Sequence, residues 1–240
     1  MKNKLLSLKT SAAILATGIF ALTSTVQAQE LTITVTNLTH GLYFTPLITA
    51  AHANSDSIFT VASAASSELQ MMAEGGNISG LSTVLTAANA NLNENPAGGL
   101  LAPAMSTTYT LTNDAANTHL SLAAMVLPSN DGFVGVDSWM IPETAGTYTM
   151  YLNAYDAGTE ANNELVVTGS GAPGVMGIPA APGMDAGTGG SGVTTTEGNT
   201  MVHIHRGSLG DDNLTGGKSD LDNSIHRWLN PVAKLTVVVK

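Results

Sequence analysis

Three carboxylates lie in turn-rich sequence where a hard cation could bind. Asp131 opens a turn after a strand-like stretch, and Asp156 and Glu160 share the string DAGTE after a later one. Loops from such strands can meet at one end of a sheet sandwich. Hard cations bind carboxylate and carbonyl oxygens held on loops, and Gly lets the backbone turn toward the ion. The same Asp residues also suit ordinary Asx turns, whose side chains accept backbone hydrogen bonds.

The charge pattern around these acids favours a cation as their partner. The sequence has 18 Asp and Glu against 8 Lys and Arg, a formal net charge of -10, and no Lys or Arg lies between Lys9 and Arg206. No side chain from that stretch can neutralise the three acids, and a divalent ion is the simplest partner. The negative surplus repels phosphate backbones, so we expect no nucleic-acid partner.

His203 and His205 form a second candidate metal site. In a strand, a spacing of two places both imidazoles on one face, as in some zinc, copper or iron sites. Such a site needs a third ligand, which the sequence does not identify, and a His pair on a half-buried strand is more often structural. A metalloenzyme that uses this pair is therefore an alternative to a cation-binding protein.

The other sequence motifs favour a role without catalysis. The sequence lacks a Gly-x-Ser-x-Gly elbow, a His-Glu-x-x-His pair and a phosphate-binding Gly-x-x-x-x-Gly-Lys loop. The string GDDNLTGG at residues 210–217 is similar to one turn of a calcium-binding nonapeptide repeat, but it occurs once, whereas that fold stacks many copies. An acidic surface loop and a weak second cation site both remain open for it.

The elements that position these residues are mainly strands. The stretch 31–38 alternates apolar residues with Thr and Asn, which predicts a half-buried strand. Short strands separated by turn residues are typical of a sandwich or barrel, so the predicted fold class is all-β. Six further stretches are predicted strands: 107–112, 119–127, 146–154, 164–168, 201–206 and 233–239.

Two departures from the strand pattern are expected within a single domain, residues 29–240. Helix-forming residues at 63–74 and 79–88, separated by Gly75 and Gly76, predict two short helices that cover one end of the sandwich. The segment 169–192 is rich in Gly and Pro, which predicts a long mobile loop inserted in the domain.

The amino terminus has the pattern of a signal peptide. Lys2, Lys4 and Lys9 precede an apolar run, and small residues at Val26 and Ala28 suit signal peptidase. We therefore expect residues 1–28 to be removed and the protein to be exported, either to the periplasm or outside the cell. No other apolar run is long enough for a membrane span. The chain has no Cys, which excludes disulfides and thiolate metal sites.

From about residue 31 to the carboxyl terminus, the sequence resembles the spondin amino-terminal domain family in a bacterial exported form. The strings GFVGVDS at 132–138 and DAGTE at 156–160 are the most specific matches. The remaining matches are TVTNLTHG at 34–41, FTP at 44–46, ASSEL at 65–69, MAEG at 72–75, HIH at 203–205 and WLNPVA at 228–233.

This resemblance implies an antiparallel β-sandwich similar to calcium-dependent lipid-binding domains. It also implies a calcium ion held by Asp131, Asp156 and Glu160, although the animal members have Asp where this chain has Glu160. The expected role is binding or adhesion, in which the ion bridges to an anionic or carbohydrate surface ligand through an open coordination position. The chain lacks the Cys residues and the other modules of the animal members, so the resemblance does not extend to their partners. A structural matrix protein without a metal is the remaining alternative, and the oligomeric state stays open.

Overall fold

The computed structural model describes residues 27–172, 174–184 and 186–240. The predicted signal peptide therefore lies outside the described residues, apart from Gln27 and Ala28. The described chain contains ten β-strands and two α-helices. In chain order they are β1 (Glu30–Asn37), β2 (Tyr43–Phe44), β3 (Ile48–His52), α1 (Ser67–Gly75), α2 (Ser79–Ala87), β4 (Asn91–Glu94), β5 (Ser106–Thr112), β6 (His119–Leu127), β7 (Gly132–Met140), β8 (Gly146–Asp156), β9 (His203–Ile204) and β10 (Ala233–Val239).

Eight strands form one antiparallel sheet that nearly closes on itself, in the order β4-β3-β6-β7-β8-β10-β1-β5. The two edge strands approach each other, and Asn93 Nδ2 on β4 donates to the Thr110 carbonyl on β5 at 3.3 Å. The all-β prediction is confirmed, and the folded sheet forms the two layers of a sandwich.

Strand β8 belongs to both layers. Its first part, Gly146 to Leu152, pairs with β10, whereas Asn153 to Asp156 pair with β7. The long strand therefore carries the chain from one layer to the other. Its last residue is Asp156, so β8 also delivers one of the candidate ligands to the end of the sandwich.

The core has two parts because the central strand β6 is buried on both faces. Leu120, Leu122 and Val126 point between the two layers, into a core shared with β1 and β10. Met125 on the opposite face packs under the helices, with Leu69 of α1 and other apolar side chains. The helices thus cover the outer face of one layer and not an end of the sandwich, which corrects the sequence prediction.

Helix α1 begins and ends later than the predicted range 63–74, for local reasons, whereas α2 agrees with the predicted range 79–88 to within one residue. The Ser66 hydroxyl caps α1 by accepting the Leu69 amide at 3.1 Å, and Gly76 ends the helix in a left-handed conformation. Within the described residues, the predicted strand at 164–168 is reduced to one isolated bridge between Val166 and Ile178.

The Gly-rich segment 169–192 contains no regular helix or strand in its described residues, as expected. It is nevertheless packed against the domain: Ile178 is fully buried, and Gly177 and Gly190 donate backbone hydrogen bonds to Glu160 and Asp220. The segment is therefore an anchored part of the fold at the end of the sandwich that carries Asp156.

No helix in the described part of the chain is long and apolar enough to cross a membrane.

Candidate metal centre

Asp131 lies at the turn between β6 and β7 and is fully buried. Its Oδ2 atom accepts three hydrogen bonds from the DAGTE loop: the Thr159 amide at 2.7 Å, the Glu160 amide at 3.1 Å and the Thr159 hydroxyl at 3.2 Å. Its Oδ1 atom has no hydrogen-bond partner among the described residues. One oxygen therefore fixes the loop, and the other remains available to a ligand.

Asp156 ends β8 and is also fully buried. Its Oδ1 atom accepts the Gly158 amide at 2.8 Å, and its Oδ2 atom accepts Asn162 Nδ2 at 2.7 Å. Gly158 has a φ of 72°, and a Cβ there would lie 2.6 Å from the Thr200 carbonyl carbon. Only Gly can therefore turn the loop this tightly beneath residue 200.

Glu160 is buried but faces a different set of neighbours. Its Oε2 atom accepts the Gly177 amide at 2.9 Å and Asn130 Nδ2 at 3.2 Å. Its Oε1 atom has no hydrogen-bond partner among the described residues. The negative charge of Glu74 on α1 repels the Glu160 carboxylate. The DAGTE loop thus brings Glu160 beside Asp131 through its backbone, while its carboxylate lies toward the Gly-rich segment.

The three acids occupy an environment that penalises their negative charge. Burial raises the pKa of Asp131, and the neighbouring charge of Asp156 raises it further. Burial also raises the pKa of Asp156, and it raises the pKa of Glu160 to about 7. A buried carboxylate without a cationic partner binds a proton or a metal ion more readily.

Among the described residues, no three His, Asp or Glu side chains are already arranged around one point. Asp131 and Asp156 are nevertheless close enough for their charges to interact, and Asp131 presents a buried free oxygen. Carboxylate oxygens on loops are the ligands that calcium prefers. The residues present therefore fit a hard divalent cation in their chemistry.

The sequence did not indicate two neighbours of this centre, Asn162 and Glu197. Asn162 Nδ2 donates to Asp156 Oδ2 at 2.7 Å and to Glu197 Oε2 at 3.3 Å. Glu197 follows the Gly-rich segment and stands 41 positions after Asp156 in a region without regular structure. Glu197 and Asp156 come together only in the folded chain, so no local spacing in the sequence could have identified Glu197 as a neighbour of the centre.

His203 and His205 have separate surroundings. The His203 ring makes a 2.8 Å contact between Nδ1 and the Met201 carbonyl, and its Nε2 atom lies 3.8 Å from Asp156 Oδ2. His205 is buried against Trp228, and its Nδ1 atom accepts the Gly207 amide. Burial lowers the pKa of His205 to about 3, which keeps this ring neutral. The described structure does not supply a third ligand around the pair.

The acidic string at 210–217 forms a turn stabilised by its own backbone. Asp211 accepts the amides of Asn213, Lys218 and Ser219 at 2.7 to 2.9 Å. These hydrogen bonds lower the pKa of Asp211 and use both of its oxygens. Its geometry is that of an acidic surface turn.

Comparison with known proteins adds one finding. The Spondin_N family model matches residues 36–168, which is more than half of the chain and includes Asp131, Asp156 and Glu160. No curated protein matches the chain. Together with the antiparallel sandwich, the match shows that this chain belongs to the spondin amino-terminal domain family.

Proposed function

We propose that this protein is an exported calcium-binding β-sandwich that acts in binding or adhesion and not in catalysis. The single observation that supports calcium most is the buried Asp131, whose Oδ1 atom has no partner among the described residues while Asp156 lies beside it. Two buried acids side by side are costly to a fold. His203 Nε2, which lies 3.8 Å from Asp156 Oδ2, compensates them only when the ring is protonated, whereas a divalent cation offsets the cost directly.

In this proposal Asp131, Asp156 and Glu160 hold the ion. Asp131 and Glu160 each contribute a buried oxygen that has no partner in the described structure. Asp156 contributes charge from the end of β8. Bound calcium would supply positive charge that orders the loops and offers a coordination position to an outside oxygen. An anionic or carbohydrate ligand on a surface is the partner that suits such a position.

The proposed location is outside the cytoplasm, either in the periplasm or outside the cell. Family membership suggests a secreted or extracellular β-domain. The signal-peptide pattern at residues 1–28 supports the same location. The amino-terminal sequence of the exported protein tests this: processing predicts Gln29 as its first residue, whereas retention of Lys2 would contradict it.

Calorimetric titration of calcium into the chelated protein tests the proposed site. We expect binding heat at about one equivalent for the unchanged protein and little or none for Asp156→Ala, because that change removes a charge from the centre. Glu143→Ala is the matched control, since Glu143 is an exposed acid outside the centre. Absence of heat with the unchanged, folded protein would refute calcium binding.

Two measurements separate this proposal from its rivals. Metal analysis that finds zinc, copper or iron at one equivalent would favour a metalloenzyme centred on His203 and His205. A melting temperature that does not respond to calcium would favour a structural matrix protein, because a ligand that binds only the folded state must raise it.

A further inference from the structure

Glu197 lies in a segment that packs against the DAGTE loop. The segment that carries it crosses Gly158 closely, since a Cβ on Gly158 would meet the Thr200 backbone at 2.6 Å. The Val193 amide also donates to the Asn163 carbonyl at 3.0 Å, which holds the start of this segment to the same loop. Glu197 is thus placed at the rim of the centre by contacts on both sides of it.

Asn162 shows how near the two carboxylates are. Its single Nδ2 atom lies within hydrogen-bonding distance of both Asp156 Oδ2 and Glu197 Oε2. The separation of these oxygens cannot exceed the sum of those two distances. The Asn162 amide is a neutral donor that lies between two carboxylates. The negative charges of both acids would attract a cation to this position.

A second, independent observation indicates that this cluster is built for a ligand. Asp131 is fully buried, and its Oδ1 atom has no partner among the described residues. Calcium takes six to eight oxygen ligands, more than Asp131 and Asp156 can provide together. Glu160 adds one further buried oxygen, since its other oxygen accepts the Gly177 amide, so an additional carboxylate near Asp156 would supply ligand oxygens that the three acids lack.

We propose that Glu197 is a further ligand of the calcium ion, so that ion binding fastens segment 193–200 across the end of the sandwich. This inference rests on the proposed calcium function. It adds that the position of segment 193–200 on the surface depends on bound calcium. Removal of calcium then loosens this segment, and any ligand that contacts it is held in a calcium-dependent manner.

Calorimetry on Glu197→Gln tests the proposed ligand. Loss of one charged ligand should weaken calcium affinity by about tenfold or more, with the stoichiometry unchanged. Glu143→Gln is the matched control because Glu143 is exposed and lies at the other end of β8, and it should leave the affinity unchanged. Equal affinities for Glu197→Gln and the unchanged protein would overturn the inference while leaving the calcium function intact.

Hydrogen exchange gives a second readout that a purely structural role would not produce. Calcium should slow amide exchange at residues 193–200 in the unchanged protein and in Glu143→Gln, but not in Glu197→Gln. Equal protection of this segment in all three proteins would also overturn the inference. If the unchanged protein gives no calcium heat at all, the proposed function fails and the inference fails with it.

Discussion

At the residue scale, the buried acids of this protein fall into two kinds. Glu164 is buried with both oxygens in use: Oε1 accepts the Leu209 amide, and Oε2 accepts the Gly210 amide and the Ser219 hydroxyl, at 2.6 to 2.9 Å. Asp131 and Glu160 instead each keep one buried oxygen without a partner in the described structure. The fold satisfies buried carboxylates where they are structural, so the free oxygens are a specific feature of the candidate centre.

The raised pKa of Glu160 gives a prediction about pH. In calcium-free buffer, the folded state keeps a proton on Glu160 up to a pKa of about 7, whereas the unfolded chain releases it near 4.5. This stabilisation is complete below 4.5 and is lost as pH rises through about 7. Relative to Glu160→Gln, the unchanged protein should therefore lose free energy of unfolding across this window. Groups common to both proteins, such as His205, whose lowered pKa acts in the opposite direction, cancel in this comparison. Urea denaturation at a series of pH values measures the difference.

Glu143→Gln is the control for this series and should keep the full pH dependence, since Glu143 is exposed. Carboxylates such as Asp211, whose pKa is lowered, lose their stabilising effect only below the ordinary value of 3.8, so they do not obscure the window. A pH slope that is identical in Glu160→Gln and the unchanged protein would contradict the prediction.

The sequence was sufficient to propose Asp131, Asp156 and Glu160, but not their orientation. The turn signals and the Gly in DAGTE predicted a loop, and the structure shows why Gly158 is needed there. The direction of the Glu160 carboxylate depends on Gly177, which lies in a segment without periodicity. Contacts of this kind arise from the fold and leave no local pattern.

At the element scale, two of the strands that were not predicted, β3 and β7, lack the pattern that marks a half-buried strand. Strand β3 is buried on both faces and contains two Ala residues, so neither its period nor its composition marks it. Strand β7 contains two Gly residues and Asp137, residue types that are depleted in strands. The Asp137 carboxylate accepts the Ile58 amide at 2.7 Å and the Ser57 hydroxyl at 3.0 Å, and thereby attaches the loop at residues 57–58 to the sheet.

Asp220 provides a prediction about the Gly-rich segment. Its carboxylate accepts amides from Val166, Thr188 and Gly190 at 2.7 to 2.9 Å. Burial alone would raise the pKa of Asp220, but these hydrogen bonds hold it below its ordinary value. Asp220→Asn places an N–H group against N–H donors and should lower the free energy of unfolding by about 2 kcal/mol. Urea denaturation measures this loss.

The same change should make residues 186–192 more accessible to a protease, because two of the three amide donors belong to that region. Asp212→Asn is the control: Asp212 is exposed, and its loss should change neither stability nor the cleavage rate. Equal cleavage of Asp220→Asn and the control would show that Asp220 does not anchor the segment.

At the scale of the whole molecule, β8 and β10 join the two layers into one cooperative unit. Leu235 of β10 is fully buried between the layers, whereas Leu229 is 84% exposed. Leu235→Ala should lower the free energy of unfolding by about 3 kcal/mol because it leaves a cavity, and Leu229→Ala should change it by less than about 0.5 kcal/mol. Denaturation followed by both circular dichroism and Trp fluorescence should give coincident transitions; two separate transitions would contradict a single unit.

The fold class followed from composition and alternation, because a half-buried strand such as β1 has a period of two. The near closure of the sheet did not, because the strand order that places β4 and β5 at the two edges depends on pairing between strands that are distant in the chain, such as β3 with β6 and β1 with β10. The packing of the helices on one face was also unpredictable, because it requires β6 to be apolar on both faces.

The path of β8 separates the start of β1 and the end of β10 from the candidate centre. Leu31 pairs with Val239, and Val239 pairs with Gly146, so both chain ends leave the sandwich beside the first residue of β8. Asp156 lies ten steps further along that strand, roughly 30 Å away at the usual rise per residue. An anchor attached before β1 or after β10 would therefore lie at the end of the domain away from Asp156. The acidic centre would then face away from that anchor.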